Sequence, residues 1–213
     1  MNVYILAAGD YPRKVYPRLL LDAADYPVVC CDGALHNALK HGLNVAAVVG
    51  DMDSVPKADL KRFGGEVVHV AEQDDNDLTK ALHYVLGRWP DVDNITIFGA
   101  TGRREAHTIG NLSLLMEYEK QYGFWERGIT VQMISDWSTM FAIGDSCELI
   151  FGEGRAVSFM TCDPTLKVRS EGLQWPLDGV VLDNWWKATL NRTTADLVKL
   201  SFNHPAPILV ILD

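Results

Sequence analysis

Three groups of acids follow apolar runs in this chain. Asp51 and Asp53, within Gly50-Asp51-Met52-Asp53-Ser54, follow the run 45–49; Asp74, Asp75 and Asp77 follow the run 67–70; Asp32 follows the run 27–31. If these runs are strands of one parallel sheet, the acids lie just past the carboxyl ends, where open α/β sheets bind their ligands. Carboxylates gathered in one place resist ionisation unless a cation sits among them. Hard oxygen donors in such number suit Mg2+, which is commonly held by a few carboxylates together with substrate phosphates. The chemistry to expect is Mg2+-dependent work on phosphate.

Taken alone, the central acidic pair fits other chemistries. Asp51-Met52-Asp53-Ser54-Val55 satisfies the Asp-x-Asp-x-Thr/Val pattern of haloacid-dehalogenase-like phosphatases, whose first Asp is a nucleophile, and contains the Asp-x-Asp of many nucleotide-sugar glycosyltransferases. The phosphatase reading needs a later acidic pair after a strand, and Asp74-Asp75, 23 residues beyond Asp51, comes too soon for that fold. Acids that merely cap helices in solvated loops are the plainer alternative.

The elements that would position these acids are legible from periodicity. Runs 3–7, 28–31, 46–49, 67–70, 95–98 and 129–134 read as strands, and 34–41, 55–63, 77–88 and 105–122 as helices. Such alternation implies a parallel sheet covered by helices. Ser54, ahead of Val55-Pro56, is the expected cap of the second helix, and Asp77 that of the third. Beyond about residue 135 the pattern changes to short β-like runs, 147–151, 156–161, 166–170, 187–190, 197–202 and 207–212. The fold class expected is α/β: a doubly wound, mostly parallel sheet domain over residues 1–138, then a small all-β, sandwich-like domain over 139–213.

Bulk properties narrow the partners. With 213 residues the chain is long enough for a substantial core, and its net charge of -9 with no Lys/Arg block argues against nucleic acid. An anionic substrate must then be held by local cations. Residues 1–8 do not read as a signal peptide and no apolar run reaches spanning length, so no membrane association is expected and the cytoplasm is the expected location. Cys30, Cys31, Cys147 and Cys162 lack metal-type spacing and read as reduced structural thiols. Asn111-Leu112-Ser113 and Asn191-Arg192-Thr193 match the glycosylation pattern by coincidence. Gly99-Ala100-Thr101-Gly102, between a strand and a helix, is a candidate anion nest, although it lacks the Lys-Ser/Thr ending of a Walker A loop. Trp175, Trp185 and Trp186 are the aromatics suited to stacking on a flat heterocycle.

Read in order, Cys31-Asp32-Gly33, Gly50-Asp51-Met52-Asp53-Ser54, Gln73-Asp74-Asp75-Asn76-Asp77-Leu78-Thr79-Lys80-Ala81-Leu82, then Gly99-Ala100-Thr101-Gly102 with Arg104, His107 and Asn111-Leu112 resemble the thiamin pyrophosphokinase family. Gly172-Leu173-Gln174-Trp175-Pro176-Leu177 resembles that family's Gly-Leu-Lys-Tyr/Trp-x-Leu segment. The resemblance implies transfer of the diphosphoryl group of ATP to the hydroxyl of thiamin, giving thiamin diphosphate and AMP, with Mg2+ as cofactor. It implies that Asp32, Asp51, Asp53 and Asp77 organise the metal, with Asp51, Asp53, Asp77 and Asp74 the catalytic acids. Either Asp77 or Asp74 would accept the thiamin proton. ATP would be met by Gly33, Ser54, Thr79, Lys80, Thr101, Gly102 and Arg104, and thiamin by Gln73, Asp77, Asn111, Trp175 and Asn191. A homodimer whose β domains help build the thiamin site is also implied.

Asp32-Gly33-Ala34-Leu35 departs mildly from the family's Asp-Gly-Gly-Ala, and two further positions depart more. Ala106 stands where the family has Asp before His107, and Leu190-Asn191 where it has Ser-Asn. Both concern the acceptor, so a same-fold diphosphokinase acting on another alcohol, such as a hydroxymethylpterin, and a non-catalytic sensor of thiamin diphosphate or nucleotide are the alternatives.

Overall fold

The computed structural model describes residues 1–22 and 25–213. The chain divides into two compact units, the first formed by Met1–Asn111 with Ile129–Asp136, the second by Leu112–Gly128 with Trp137–Asp213.

In the first unit, strands β1 (Asn2–Leu6), β2 (Val28–Cys31), β3 (Val45–Gly50), β4 (Glu66–His69), β5 (Asn94–Phe98) and β6 (Thr130–Ile134) pair in the order β6-β5-β1-β2-β3-β4. Every pairing is parallel. Helices α1 (Val15–Asp22), α2 (Leu35–Lys40), α3 (Lys57–Arg62) and α4 (Asp77–Arg88) fall between the strands, and α5 (Glu105–Tyr122) precedes β6. The central strands are apolar without alternation because helices cover both faces of such a sheet. All four residues of β2 are buried, as are Val3, Ile5, Ile95 and Ile97.

Several boundaries differ from the sequence expectation. The expected helix over 55–63 begins only at Lys57, and Ser54 is not its cap: the Ser54 hydroxyl donates to Asp53 Oδ1 (2.7 Å) instead. The cap of α4 is Asn76, whose Oδ1 accepts the Thr79 N–H (2.9 Å), which leaves the Asp77 carboxylate uncommitted to capping. Helix α1 was not legible in the sequence. Its Pro17 weakens the helical pattern, yet a first-turn proline is tolerated because that N–H has no intrahelical partner. Arg18 and Asp22 then form an i,i+4 pair (2.7 Å) on its exposed side.

The second unit contains two antiparallel sheets. Strands β7 (Thr139–Ile143), β9 (Ala156–Met160), β11 (Asn191–Arg192) and β13 (Ile208–Leu212) order as β11-β9-β13-β7, and β8 (Cys147–Ile150), β10 (Val168–Glu171) and β12 (Leu197–Phe202) as β10-β12-β8. Val157, Phe159, Ile208 and Val210 of one sheet share a core with Val168, Val198 and Leu200 of the other, the arrangement of a β-sandwich. Strand β7 lay unread in the expected boundary region, and the expected strand over 187–190 is instead a 3-10 turn, Trp185–Ala188. Asn184 caps that turn, and Leu190 beyond it takes a left-handed φ of 55°, which breaks any extended run.

The main changeover lies between Asp136 and Trp137, while residues 112–128 group with the second unit although a contiguous boundary was expected. The physical reason is local. Trp125 packs on the sandwich core, and the buried Glu119 accepts the Trp125 N–H (2.9 Å).

Candidate active site

Strands β2, β3 and β4 lie to one side of β1, whereas β5 and β6 lie to the other. The chain therefore reverses its direction of winding at β1 and β5, and the crevice beyond their carboxyl ends is the topological switch point at which such sheets bind ligands. A cavity of about 390 Å³ occupies this position, floored by Ala7, Ala8 and Gly9 after β1 and by Gly99, Ala100 and Gly102 after β5. The two loops are bonded to each other: the Gly9 N–H donates to Gly99 O (2.7 Å) and the Asp10 N–H to Thr101 O (2.9 Å). A Cβ on Gly9 would collide with the carbonyl oxygens of Gly99 and Thr101, so this close approach requires glycine.

One wall of the site is acidic. Cys31 pairs in register with Val49, so the residues that follow β2 and β3 emerge side by side. Carboxylate oxygens of Asp32, Asp51 and Asp53 consequently all lie within 4.8 Å of one another. Asp32, 2% exposed, accepts the N–H groups of Gly33 and Ser54 (3.3 Å to the latter). Burial pushes its carboxyl up, those two N–H groups oppose the shift, and Asp51 and Asp53 add to it. Asp51 is half-buried, and the Gln73 side-chain amide (3.0 Å) and the Asp53 N–H (3.1 Å) hold its carboxyl below the usual range. Met52 sits between the two acids at a φ of 65°, a conformation uncommon for a non-glycine residue.

Asp77 completes that wall. Its carboxyl is pushed up by burial and by the nearby Asp32, against the pull of Lys80. Gly50 leaves the space these acids need, since a Cβ there would lie 2.9 Å from Asp32 Cβ and 3.3 Å from Asp77 Oδ1. Lys80, only 4% exposed, places its ammonium 3.6 Å from Asp77 Oδ1 and 3.9 Å from Glu72 Oε1. Glu72 also accepts the N–H groups of Asp74 (2.8 Å) and Asp75 (3.0 Å), which anchors that loop.

Arg103, Arg104 and His107 form the basic part of the cavity lining. Gly102 and Arg103 both take left-handed φ values, 80° and 62°, turning the loop sharply before α5. The expected anion nest is only partly open, because the Gly102 N–H is already donated to Thr108 Oγ1 (3.1 Å).

Among the expected site residues, Asp32, Gly33, Ser54, Asp77, Gly102, Arg104 and Asn111 line the cavity, and Asp51, Asp53 and Gln73 join it through Asp32 and Asp51. Thr79, Lys80, Thr101 and Asp74 are not part of the lining. Thr79 is buried with its N–H on the Asn76 cap, Lys80 is turned to Asp77 and Glu72, and Thr101 gives its carbonyl to Asp10. In the second unit, Trp175 is 55% exposed beside a small cavity of about 120 Å³. Asn191 is 4% exposed, and its amide is engaged with the Trp175 backbone (3.2 and 2.6 Å) and the Arg192 N–H (2.8 Å). The amide thereby ties the Trp175 backbone in place, and burial sets Asn191 apart from a glycosylation site. Ala7-Ala8-Gly9, Arg103 and Asn76 were not singled out in the sequence. The signal for the first was present, as small residues ending the first strand immediately before Asp10.

Cys31 also lines the cavity, but burial, with Asp77, Cys30 and Asp32 adding to it, pushes its thiol well up and keeps it from acting as a nucleophile at neutral pH.

Residues 18–123 match the family described as "Thiamin pyrophosphokinase, catalytic domain". The chain belongs to the thiamin pyrophosphokinase family. Of curated members of this family, the thiamine pyrophosphokinase of Bacillus subtilis is 32% identical over 119 residues, covering 54% of this chain and 54% of its own. Thiamin pyrophosphokinase 1 of Caenorhabditis elegans is 32% identical over 98 residues, covering 42% of this chain and 40% of its own. The chain thus spans about half the length of the curated relatives it matches, or less. The whole fold is similar to the crystal structure of the Bacillus subtilis protein, with a TM-score of 0.79 at 21% identity over 100% of this chain and 99% of that one. Similarity to yeast thiamin pyrophosphokinase gives a TM-score of 0.75 at 13% identity over 100% of this chain and 86% of that one. The fold therefore persists across the family where sequence identity is low.

Proposed function

We propose that this protein is a thiamine diphosphokinase, transferring the diphosphoryl group of ATP to the hydroxyl of thiamin to give thiamin diphosphate and AMP. The observation that carries the reading is the set of three carboxylates, Asp32, Asp51 and Asp53, within 4.8 Å of one another at the switch-point cavity of a family member. The donor set fits Mg2+: all hard oxygens, gathered where like charges oppose ionisation of the buried Asp32. Asp32, Asp51 and Asp53 would hold the ion, which when bound neutralises charge on the triphosphate.

The chain's own residues supply positioning and proton transfer. Arg103 and Arg104 offer planar guanidinium forks to phosphate oxygens, beside the loop after β5. The thiamin hydroxyl oxygen attacks the β-phosphorus, the bond from that phosphorus to the α-phosphate oxygen breaks, and AMP leaves. Asp77 takes the hydroxyl proton. It lines the cavity where Asp74 does not, and a carboxyl pushed up by burial is the stronger base.

The protein would work in the cytoplasm as a homodimer. Four free cysteines suit a reducing compartment, and the second unit presents exposed Trp175, Val181, Trp186 and Leu190, apolar surface that a second copy would cover. Among the described residues no helix is long and apolar enough to cross a membrane. The deciding measurement is nucleotide analysis after incubation with ATP, Mg2+ and a panel of alcohols. AMP formed only with thiamin is expected; ADP, or AMP formed only with another alcohol, would remove the reading.

A further inference from the structure

Asn76, Asn111 and Ala100 are joined by a directed chain of hydrogen bonds. The Thr79 N–H donates to Asn76 Oδ1 (2.9 Å), Asn76 Nδ2 donates to Asn111 Oδ1 (3.2 Å), and Asn111 Nδ2 donates to Ala100 O (2.7 Å). The two ends are backbone groups of fixed character, a donor at Thr79 and an acceptor at Ala100. Neither amide can therefore turn over without setting like groups against each other. The chain ties together three parts of the cavity. Asn76 adjoins Asp77 at the start of α4, Asn111 lies on the helix that opens just after Arg104 and carries His107, and Ala100 lies in the loop after β5.

We infer that the Asn76–Asn111 amide pair is a positioning device, holding the Asp77 wall in register with the Arg104 and His107 wall, and that Asn111 acts through this pair and not as a contact for the acceptor. The inference rests on the diphosphokinase reading above. Phosphoryl transfer depends almost wholly on positioning, so loss of register acts on the rate of the bound complex. A contact residue for the acceptor would instead raise the acceptor's KM.

Asn76→Ser isolates the effect, because serine caps a helix about as well as asparagine but has no amide to reach Asn111. The experiment compares Asn76→Ser, Asn111→Ala and the double variant by steady-state AMP formation, thermal unfolding and the NMR resonances of the Asn111 side-chain amide. A kcat lower by about 10- to 100-fold in each single variant is expected, with thiamin KM within about 3-fold and the double variant no worse than the poorer single. Effects that multiply in the double variant, an unchanged kcat in Asn76→Ser, or a change confined to thiamin KM would overturn the inference. If the wild type forms no AMP, the diphosphokinase reading fails separately. The pair is then judged from the ligand-free protein, where the Asn111 amide resonances shift in Asn76→Ser if the bond exists; unmoved resonances would reject it.

Discussion

The Lys80 ammonium stands 3.6 Å from Asp77 Oδ1, at the back of a wall that also holds Asp32, Asp51 and Asp53. The lysine is buried and its acidic partners are half-exposed, so it serves as a built-in cation for acids that would otherwise repel one another. Lys80→Met keeps the buried stem and removes the charge. A loss of about 1–2 kcal/mol is expected, below the range for fully buried pairs because Glu72 and Asp77 retain solvent. Urea denaturation with and without Mg2+ checks it: the deficit should shrink when Mg2+ is added, and an equal deficit in both would contradict this role.

Asp53 contributes to the proposed metal site without being needed for packing, being exposed at the end of the β3 turn. Asp53→Asn should lower AMP formation by roughly 10²-fold or more, the scale of losing one electrostatic group at a reacting centre. Its thermal midpoint should stay level or rise, because one like charge has gone. Calorimetric titration with Mg2+ should show weaker binding; undiminished affinity would remove Asp53 from the site.

Gly9 lies where the loops after β1 and β5 cross, and the atoms a Cβ would strike are backbone oxygens that cannot swing aside. Gly9→Ala should destabilise by about 1–3 kcal/mol, the usual scale of overpacking. It should also spread the cavity floor, so AMP formation falls more than the stability loss explains. Gly154→Ala, at a site with open space but a φ of 81°, offers a comparison outside the cavity lining.

Glu119, 7% exposed, has its carboxyl pushed up by burial and by Glu126, against the N–H groups of Trp125 and Phe124. Because its folded pKa exceeds its ordinary value of 4.5, its contribution to stability is fully present below that value and is lost as pH rises through the folded one. Glu119→Gln keeps an oxygen for the Trp125 N–H and removes the ionisation. Relative to wild type, the variant should gain stability between pH 4 and pH 7, read as urea midpoints at each; a constant difference would show that Glu119 does not titrate there.

Much of the site was legible before any fold was known, because its residues obey local rules. Apolar runs without alternation marked the buried strands 28–31 and 95–98, and small or acidic residues marked their ends. Helices α4 and α5 matched the expected spans 77–88 and 105–122 because each has a long uninterrupted helical stretch. Where two local signals competed, the reading slipped by a few residues: Ser54 and Asp77 both have capping chemistry, but Ser54 bonds to Asp53 and Asn76 caps α4 in place of Asp77.

The sequence by itself determined which residues could do chemistry and that they follow strands, since residue type and period-2 or period-3.6 pattern are properties of short segments. Tertiary structure alone decided which of them meet. The pairing of Cys31 with Val49 brings Asp32 beside Asp51 and Asp53, and the crossing of loops at Gly9 closes the cavity floor. It also joined Asn76 to Asn111 across 35 residues. Such contacts depend on which strands neighbour one another and how closely loops approach, and no short window of sequence encodes that.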